Sequence, residues 1–324
     1  MTRSDIALTL TGVVIAIVAT VASLWSATNN RQIDNSETLI PREVAPGSFA
    51  IVNGFDLHYR LIGDPLKDPT GAPLVLVHGF ASSSDEFRKI ESALAVSRSL
   101  ILPDLLGFGY SQRVTDTLSA YTHRSQAALV RGMLDQLGVK QLDALGSSYG
   151  GAIVTQFALD NPGRVRRIGY LDGQIYDSGG GPPAWLMGLL PFRMGRAVTW
   201  NLLGGGPGQA QLLGSVCVDT AACAAGIDPK WRENVTRIAG NTDALLAFAS
   251  APRDQYAEVD IRKIAVPALA IWGEKDQLVP LDRGKRLASE LPNARLEVIG
   301  GVGHTPHLER PAAVIPLLVA FFGR

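Results

Sequence analysis

The residue best placed for covalent chemistry is a serine. Ser148 is the centre of Gly146-Ser147-Ser148-Tyr149-Gly150, which follows the apolar run Leu142 to Leu145 and precedes a helix-like segment from Ile153. A strand that turns sharply into a helix exposes the residue at the turn, and small flanking residues let the strained backbone approach its neighbours. Gly-Ser-Ser clusters also serve as plain loop material, but a flexible linker seldom separates a buried strand from a helix. A serine hydroxyl is a poor nucleophile at neutral pH, so this chemistry needs a base within hydrogen-bonding reach and a third group to hold that base.

Five histidines compete for the base. His304 follows Gly300-Gly301-Val302-Gly303 after the last apolar strand, on a glycine-rich loop that can carry an imidazole over the C-terminal edge of a sheet, where ligands bind. His307 is its rival and is expected to cap or pack against the final helix. His58 and His123 fall in an early strand and at a helix start, where structural roles suffice. For the acid, Asp276 lies in Gly273-Glu274-Lys275-Asp276 just after the run Ala268 to Trp272 and between the serine and the histidine in the chain. Glu274, as a turn carboxylate, and Asp172, at the end of another strand, are the alternatives. Attack on a carbonyl develops an oxyanion that needs preorganised donors. The backbone N–H of Tyr149, next after the serine, is one, and that of Phe80, after His78-Gly79, is the second. His78 itself is expected to brace that loop.

Several elements must position these groups. Phe49 to Val52 and Phe55 to Leu61 flank Asn53-Gly54, a dipeptide suited to a tight hairpin. Leu74 to Val77, Leu100 to Leu102, Leu142 to Leu145, Ile168 to Leu171, Ala268 to Trp272 and Leu296 to Ile299 read as strands buried on both faces of a mostly parallel sheet. They alternate with helix-like segments at Tyr121 to Leu137, Ile153 to Leu159 and Leu281 to Leu291, the rhythm of βαβ crossovers. That rhythm fails over about 173–260, where Gly179-Gly180-Gly181-Pro182-Pro183 leads to Trp185, Leu186, Met187, Leu189, Leu190, Phe192, Met194 and Trp200, and then to Gly204-Gly205-Gly206-Pro207. An inserted helical cap is expected there. Its apolar residues serve either its own packing or the lining of an apolar substrate site.

Thirty basic residues balance thirty acidic ones, which leaves no electrostatic footprint for nucleic acid. Hydrophobic residues make up 46%, in keeping with a globular protein. Ile6 to Trp25 carries no charge and matches in length a ~30 Å hydrocarbon core, so residues 1–27 are expected to form a transmembrane anchor, or a cleaved signal ending near Val21-Ala22-Ser23. Membrane contact through residues 6–25 and an exported, membrane-anchored catalytic domain follow as expectations. Residues 28–48 turn polar and read as a linker to a domain at 49–324. Cys217 and Cys223, six positions apart, suit either a small disulfide loop or two thiols.

His78-Gly79-Phe80, the stretch Pro103-Asp104-Leu105-Leu106-Gly107-Phe108-Gly109-Tyr110-Ser111, the serine turn, Asp276 and Gly303-His304 occur in one order. On these motifs the chain from about Phe49 to Arg324 resembles the α/β-hydrolase fold superfamily, whose triad runs Ser, Asp, His. The resemblance implies an α/β fold with an eight-stranded sheet flanked by helices, a cap inserted after the sixth strand, and the roles above for Ser148, Asp276, His304, Phe80 and Tyr149, with no metal or cofactor. Haloalkane dehalogenases and epoxide hydrolases resemble this layout but carry aspartate where Ser148 stands. Ester hydrolysis, of hydrophobic and lipid-derived acyl substrates in particular, is the expected activity. Two alternatives stay open. Carbon–carbon bond hydrolases of aromatic degradation, and cofactor-free perhydrolases, also use serine, although Thr305-Pro306-His307 follows His304 where a tryptophan is expected in the former. A membrane-tethered binding protein on the same scaffold is the reading from a different class.

Overall fold

The apolar runs form the interior of one eight-stranded sheet. Its strands are β1 (Ser48–Val52), β2 (Phe55–Ile62), β3 (Leu74–Val77), β4 (Leu100–Pro103), β5 (Leu142–Ser147), β6 (Val165–Leu171), β7 (Ala268–Gly273) and β8 (Ala294–Ile299), in the order β1-β2-β4-β3-β5-β6-β7-β8. The structure, a computed structural model, describes residues 3–176, 191–203, 209–252 and 261–323. The hairpin turns at Asn53 and Gly54, both with positive φ, and pairs β1 with β2 antiparallel. Strand β2 pairs antiparallel with β4, and the remaining pairings are parallel.

Alternation along each strand sorts the core into two layers. Leu74 and Leu76 of β3 face one side with Phe87, Ile90, Leu94, Leu318 and Phe322, while Val75 and Val77 face the other with Met133, Ile153 and Phe157. Every residue of β3, β4, β5 and β7 is buried. Strand β8 departs from the expected doubly buried run, since only Ile299 is buried. It has a neighbour on one side alone, and an edge strand keeps part of its surface in solvent.

Along the chain, the segment between β6 and β7 is helical, with helices at Phe192–Leu202, Thr220–Ala224, Pro229–Thr236 and Asn241–Ser250 among the described residues. Of the candidate cap residues, Phe192 is exposed and Met194 and Trp200 are half-buried. Trp185, Leu186, Met187, Leu189 and Leu190, and the glycine-proline stretches beginning at Gly179 and Gly204, lie outside the described residues.

The N-terminal region corrects the sequence reading. Among the described residues no helix is long and apolar enough to cross a membrane. The expected transmembrane anchor, the membrane contact of residues 6–25 and the membrane-anchored placement are withdrawn with it. One helix, Arg3–Ser36, runs through both the apolar segment and the start of the polar one. Its large apolar residues from Val14 to Leu24 stay exposed, while its last turns pack on the helix Phe192–Leu202. There Ser26 Oγ and Asn30 Nδ2 donate to the Arg193 carbonyl at 3.0 and 2.8 Å. Asn201 Nδ2 donates to Asn29 Oδ1 at 2.7 Å, Arg196 pairs with Asp34 at 2.6 Å, and Ile33 is fully buried. Beyond it, the Leu39 amide donates to the Arg237 carbonyl and its carbonyl accepts from the Ala239 amide. Residues read as a polar linker are therefore folded against the cap.

Candidate active site

Ser148 sits between β5 and the helix Tyr149–Asp160 with φ 48° and ψ −118°, a left-handed conformation unusual for a residue with a side chain. The flanking glycines make that turn possible. A Cβ on Gly146 would come within 2.4 Å of the Gly150 carbonyl oxygen, and one on Gly150 within 2.1 Å of the Val77 carbonyl oxygen. The turn projects the hydroxyl past the C-terminal edge of the sheet, where the loops after β7 and β8 meet it.

His304 Nε2 lies 2.8 Å from Ser148 Oγ, and His304 Nδ1 lies 2.7 Å from Asp276 Oδ2. Asp276 Oδ1 accepts from the amides of Leu278 and Val279 at 2.8 and 3.0 Å. Burial alone would raise the Asp276 carboxyl, but its contacts with His304, Asp172 and the Val279 amide outweigh burial and hold it below the usual carboxylate value. With Nδ1–H donated to that carboxylate, Nε2 is left as an acceptor for the serine hydroxyl.

The loop after β3 reaches the same place. A Cβ on Gly79 would stand 3.2 Å from Ser148 Cβ, so the chain at Gly79-Phe80 passes directly beside the serine. His78 braces this loop as expected, accepting the Leu105 amide on Nε2 at 3.0 Å and donating from Nδ1 to the Gly79 carbonyl at 2.7 Å. Tyr149 opens its helix, so its amide stands at the helix N-terminus, the positive end of the helix dipole.

The other sequence candidates fall apart from the serine. Glu274 accepts the Gly301 amide at 2.9 Å, a turn carboxylate as read. His58 is buried against Asp104, and the His123 ring stands 5.3 Å from that of Tyr149. His307 does not cap the final helix. It lies in the one-turn helix Pro306–Glu309 with Nε2 3.3 Å from Glu86 Oε1. Asp172 alone among the alternatives adjoins the site, with a carboxylate oxygen within 4.8 Å of Asp276 and His304.

Two features escaped the sequence reading. Phe248 of the cap stacks on Phe80 at 4.7 Å and meets Phe108, Tyr121 and Tyr149 edge-on, so an aromatic cluster adjoins the serine. The apolar run Leu245-Leu246-Ala247-Phe248 was the only signal for it. Glu86 Oε2 accepts the Gly79 amide at 2.9 Å from the far side of the loop. Burial would raise this carboxyl, but His307, Ser147 and the Gly79 amide hold it down at about 2. Of the two states left open for Cys217 and Cys223, the disulfide is the one formed. Both sulfurs contact Thr305 Oγ1, at 3.2 and 3.1 Å, and the Val216 carbonyl next to the bridge accepts the His304 amide at 2.8 Å.

Sheet order, serine turn and the Ser-His-Asp arrangement together define a class. Residues 72–311 match the alpha/beta hydrolase fold family, and the chain belongs to it. The protein is a hydrolase. It is 30% identical over 274 residues to the uncharacterized hydrolase YugF of Bacillus subtilis, covering 84% of this chain and 96% of that protein. It is also 30% identical over 260 residues to a 2-hydroxymuconate semialdehyde hydrolase of Pseudomonas sp. strain CF600, covering 78% of this chain and 87% of that one. A thermophilic esterase from Thermogutta terrifontis superposes with a TM-score of 0.64 at 23% identity over 85% of this chain and 97% of its own, a likeness of fold.

Proposed function

We propose that the protein hydrolyses carboxylic esters through an acyl-enzyme on Ser148. The observation that carries this is the continuous path from Asp276 through His304 to Ser148 Oγ, with contacts of 2.7 and 2.8 Å. His304 takes the hydroxyl proton as Ser148 Oγ bonds to the acyl carbon, and the carbonyl oxygen becomes an oxyanion facing the amides of Phe80 and Tyr149. One such donor is worth about 10²–10³ in rate in comparable sites. The tetrahedral adduct collapses as His304 delivers its proton to the departing alcohol. Water then repeats the sequence with His304 as base, releasing the acid and restoring the serine.

The aromatic cluster of Phe80, Phe108, Tyr149 and Phe248 beside the serine favours an apolar acyl group. The case for a lipid-derived ester loses the membrane span on which it partly rested.

Carbon–carbon bond hydrolysis is the second reading, favoured by the 30% identity to the 2-hydroxymuconate semialdehyde hydrolase. Against it, Thr305 stands next to His304 where a tryptophan is expected, and its hydroxyl is engaged by the disulfide sulfurs. The test is hydrolysis of p-nitrophenyl esters from acetate to palmitate, with Ser148→Ala alongside and labelling by a serine-directed fluorophosphonate. Serine-dependent ester turnover with a preference for longer chains is expected. Labelling without ester turnover, together with cleavage of 2-hydroxymuconate semialdehyde, would move the assignment to the second reading. No labelling at all would leave a binding protein.

A further inference from the structure

Two carboxyl groups, rather than one, stand behind His304. Asp172 follows β6 with φ 47°, a left-handed conformation that a residue with a side chain keeps only where its surroundings impose it. Its amide donates to the Ile271 carbonyl at 3.0 Å, and its Oδ1 accepts the Gly273 amide at 2.8 Å. The side chain is fully buried, and Oδ2 meets no N–H or hydroxyl donor. Instead it is crowded by the other members of the site: one side-chain atom from each of Asp172, Asp276 and His304 falls within 4.8 Å of the others.

Two carboxylates in buried contact cannot both ionise without strong repulsion, so one keeps a proton. The donors decide which. Asp276 receives the Leu278 amide, the Val279 amide and His304 Nδ1, three donors that stabilise an anion. Asp172 receives the Gly273 amide alone, and Glu309 adds a second unfavourable charge nearby. Burial, then Asp276 and Glu309, push the Asp172 carboxyl well above the usual range. We propose that Asp172 is a positioning residue that keeps a proton on Oδ2, donates it to Asp276, and thereby fixes the carboxylate that orients His304. This rests on the reading of Ser148, Asp276 and His304 given above. Asp276 thus has a neutral donor at its back, so it can stay anionic in a buried site without a second cation.

Two substitutions separate this role from simple packing. Asp172→Asn retains an acceptor for the Gly273 amide and a donor for Asp276, and Asp172→Gly removes the carboxyl while tolerating the positive φ. In the full chain, Asp172→Asn is expected to keep kcat and the fluorophosphonate labelling rate within about threefold of wild type. Its acid limb of the kcat/KM pH profile should stay in place, because no charge has been removed. Asp172→Gly is expected to lose kcat by about 10- to 100-fold with little change in KM, the scale of a mispositioned catalytic group. An infrared band of an un-ionised carboxyl at pH 7 should be present in wild type and absent in Asp172→Asn. That band does not depend on any activity: if it is present in a protein whose serine never labels, Asp172 holds its proton and the reading of Ser148 fails. Absence of the band in wild type, a shift of the acid limb by about one pH unit in Asp172→Asn, or full activity in Asp172→Gly would each overturn the proposal.

Discussion

Among the described residues, two buried histidine–aspartate pairs share one geometry in regions that do different work. His304 and Asp276 meet at 2.7 Å above the C-terminal edge of the sheet, and His58 and Asp104 meet at 2.7 Å between β2 and the loop after β4. The far nitrogen separates them. His304 Nε2 faces the Ser148 hydroxyl, which can donate, so this nitrogen can accept a proton. His58 Nε2 faces the Pro46 carbonyl, which can only accept, so that nitrogen must carry a proton and cannot take one. Around His58 the rings of Phe49, Tyr110 and Trp231 close in, and Asp104 also takes the Ser84 and Tyr110 amides. That pair ties the chain ahead of β1 to the sheet. A histidine–carboxylate contact therefore says little about chemistry until its third partner is known.

The sharpest way to break this comparison is to remove that third partner. Ser148→Ala is expected to lower ester turnover by about 10⁴-fold or more with the melting temperature nearly unchanged, measured with p-nitrophenyl esters and calorimetry. An equal loss from His58→Ala in folded protein would erase the distinction. Asp276→Asn comes next, at about 10⁴-fold in kcat, because an amide cannot hold the same imidazole tautomer. His58→Ala should appear instead in urea unfolding, with a loss of about 3–5 kcal/mol from leaving the buried Asp104 without its histidine partner, and kcat of the folded fraction within a few-fold.

Smaller effects sharpen the same contrast. The Cys217→Ser/Cys223→Ser variant is expected to lose about 2 kcal/mol of stability for so short a loop and, because Val216 and Thr305 hold the His304 segment, several-fold in kcat. Glu86 supplies a pH signature. Its folded value of about 2 lies below the ordinary 4.5, so its contribution to stability is complete above 4.5 and is lost as pH falls toward 2. Glu86→Gln should flatten acid unfolding in that window, as read by circular dichroism, and a curve as steep as wild type would remove Glu86 from the account.

Much of this was legible in residue order. The strand-turn-helix context singled out Ser148, and the glycine loop after the last strand singled out His304, because tight turns and buried strands are written in neighbouring residues. Asn53-Gly54 and the doubly buried runs gave the hairpin and the parallel sheet for the same reason. The polar stretch after the apolar segment was read as a linker because composition describes residues along the chain. It does not register that Ser26, Asn29 and Asn30 find buried polar partners on a cap helix more than 160 residues away. Phe248 and Glu86 were missed because neither carries a local pattern that marks it.

By itself, then, the sequence determined the fold class and the order of serine, acid and histidine, since both follow from periodicity, turn chemistry and spacing. Only the tertiary structure decided which histidine nitrogen meets a hydroxyl, that the two cysteines join behind Thr305, and that two buried aspartates meet so that one must keep its proton. Those outcomes depend on distance and on removal from water, and neither exists until strands and loops far apart in the chain have packed together.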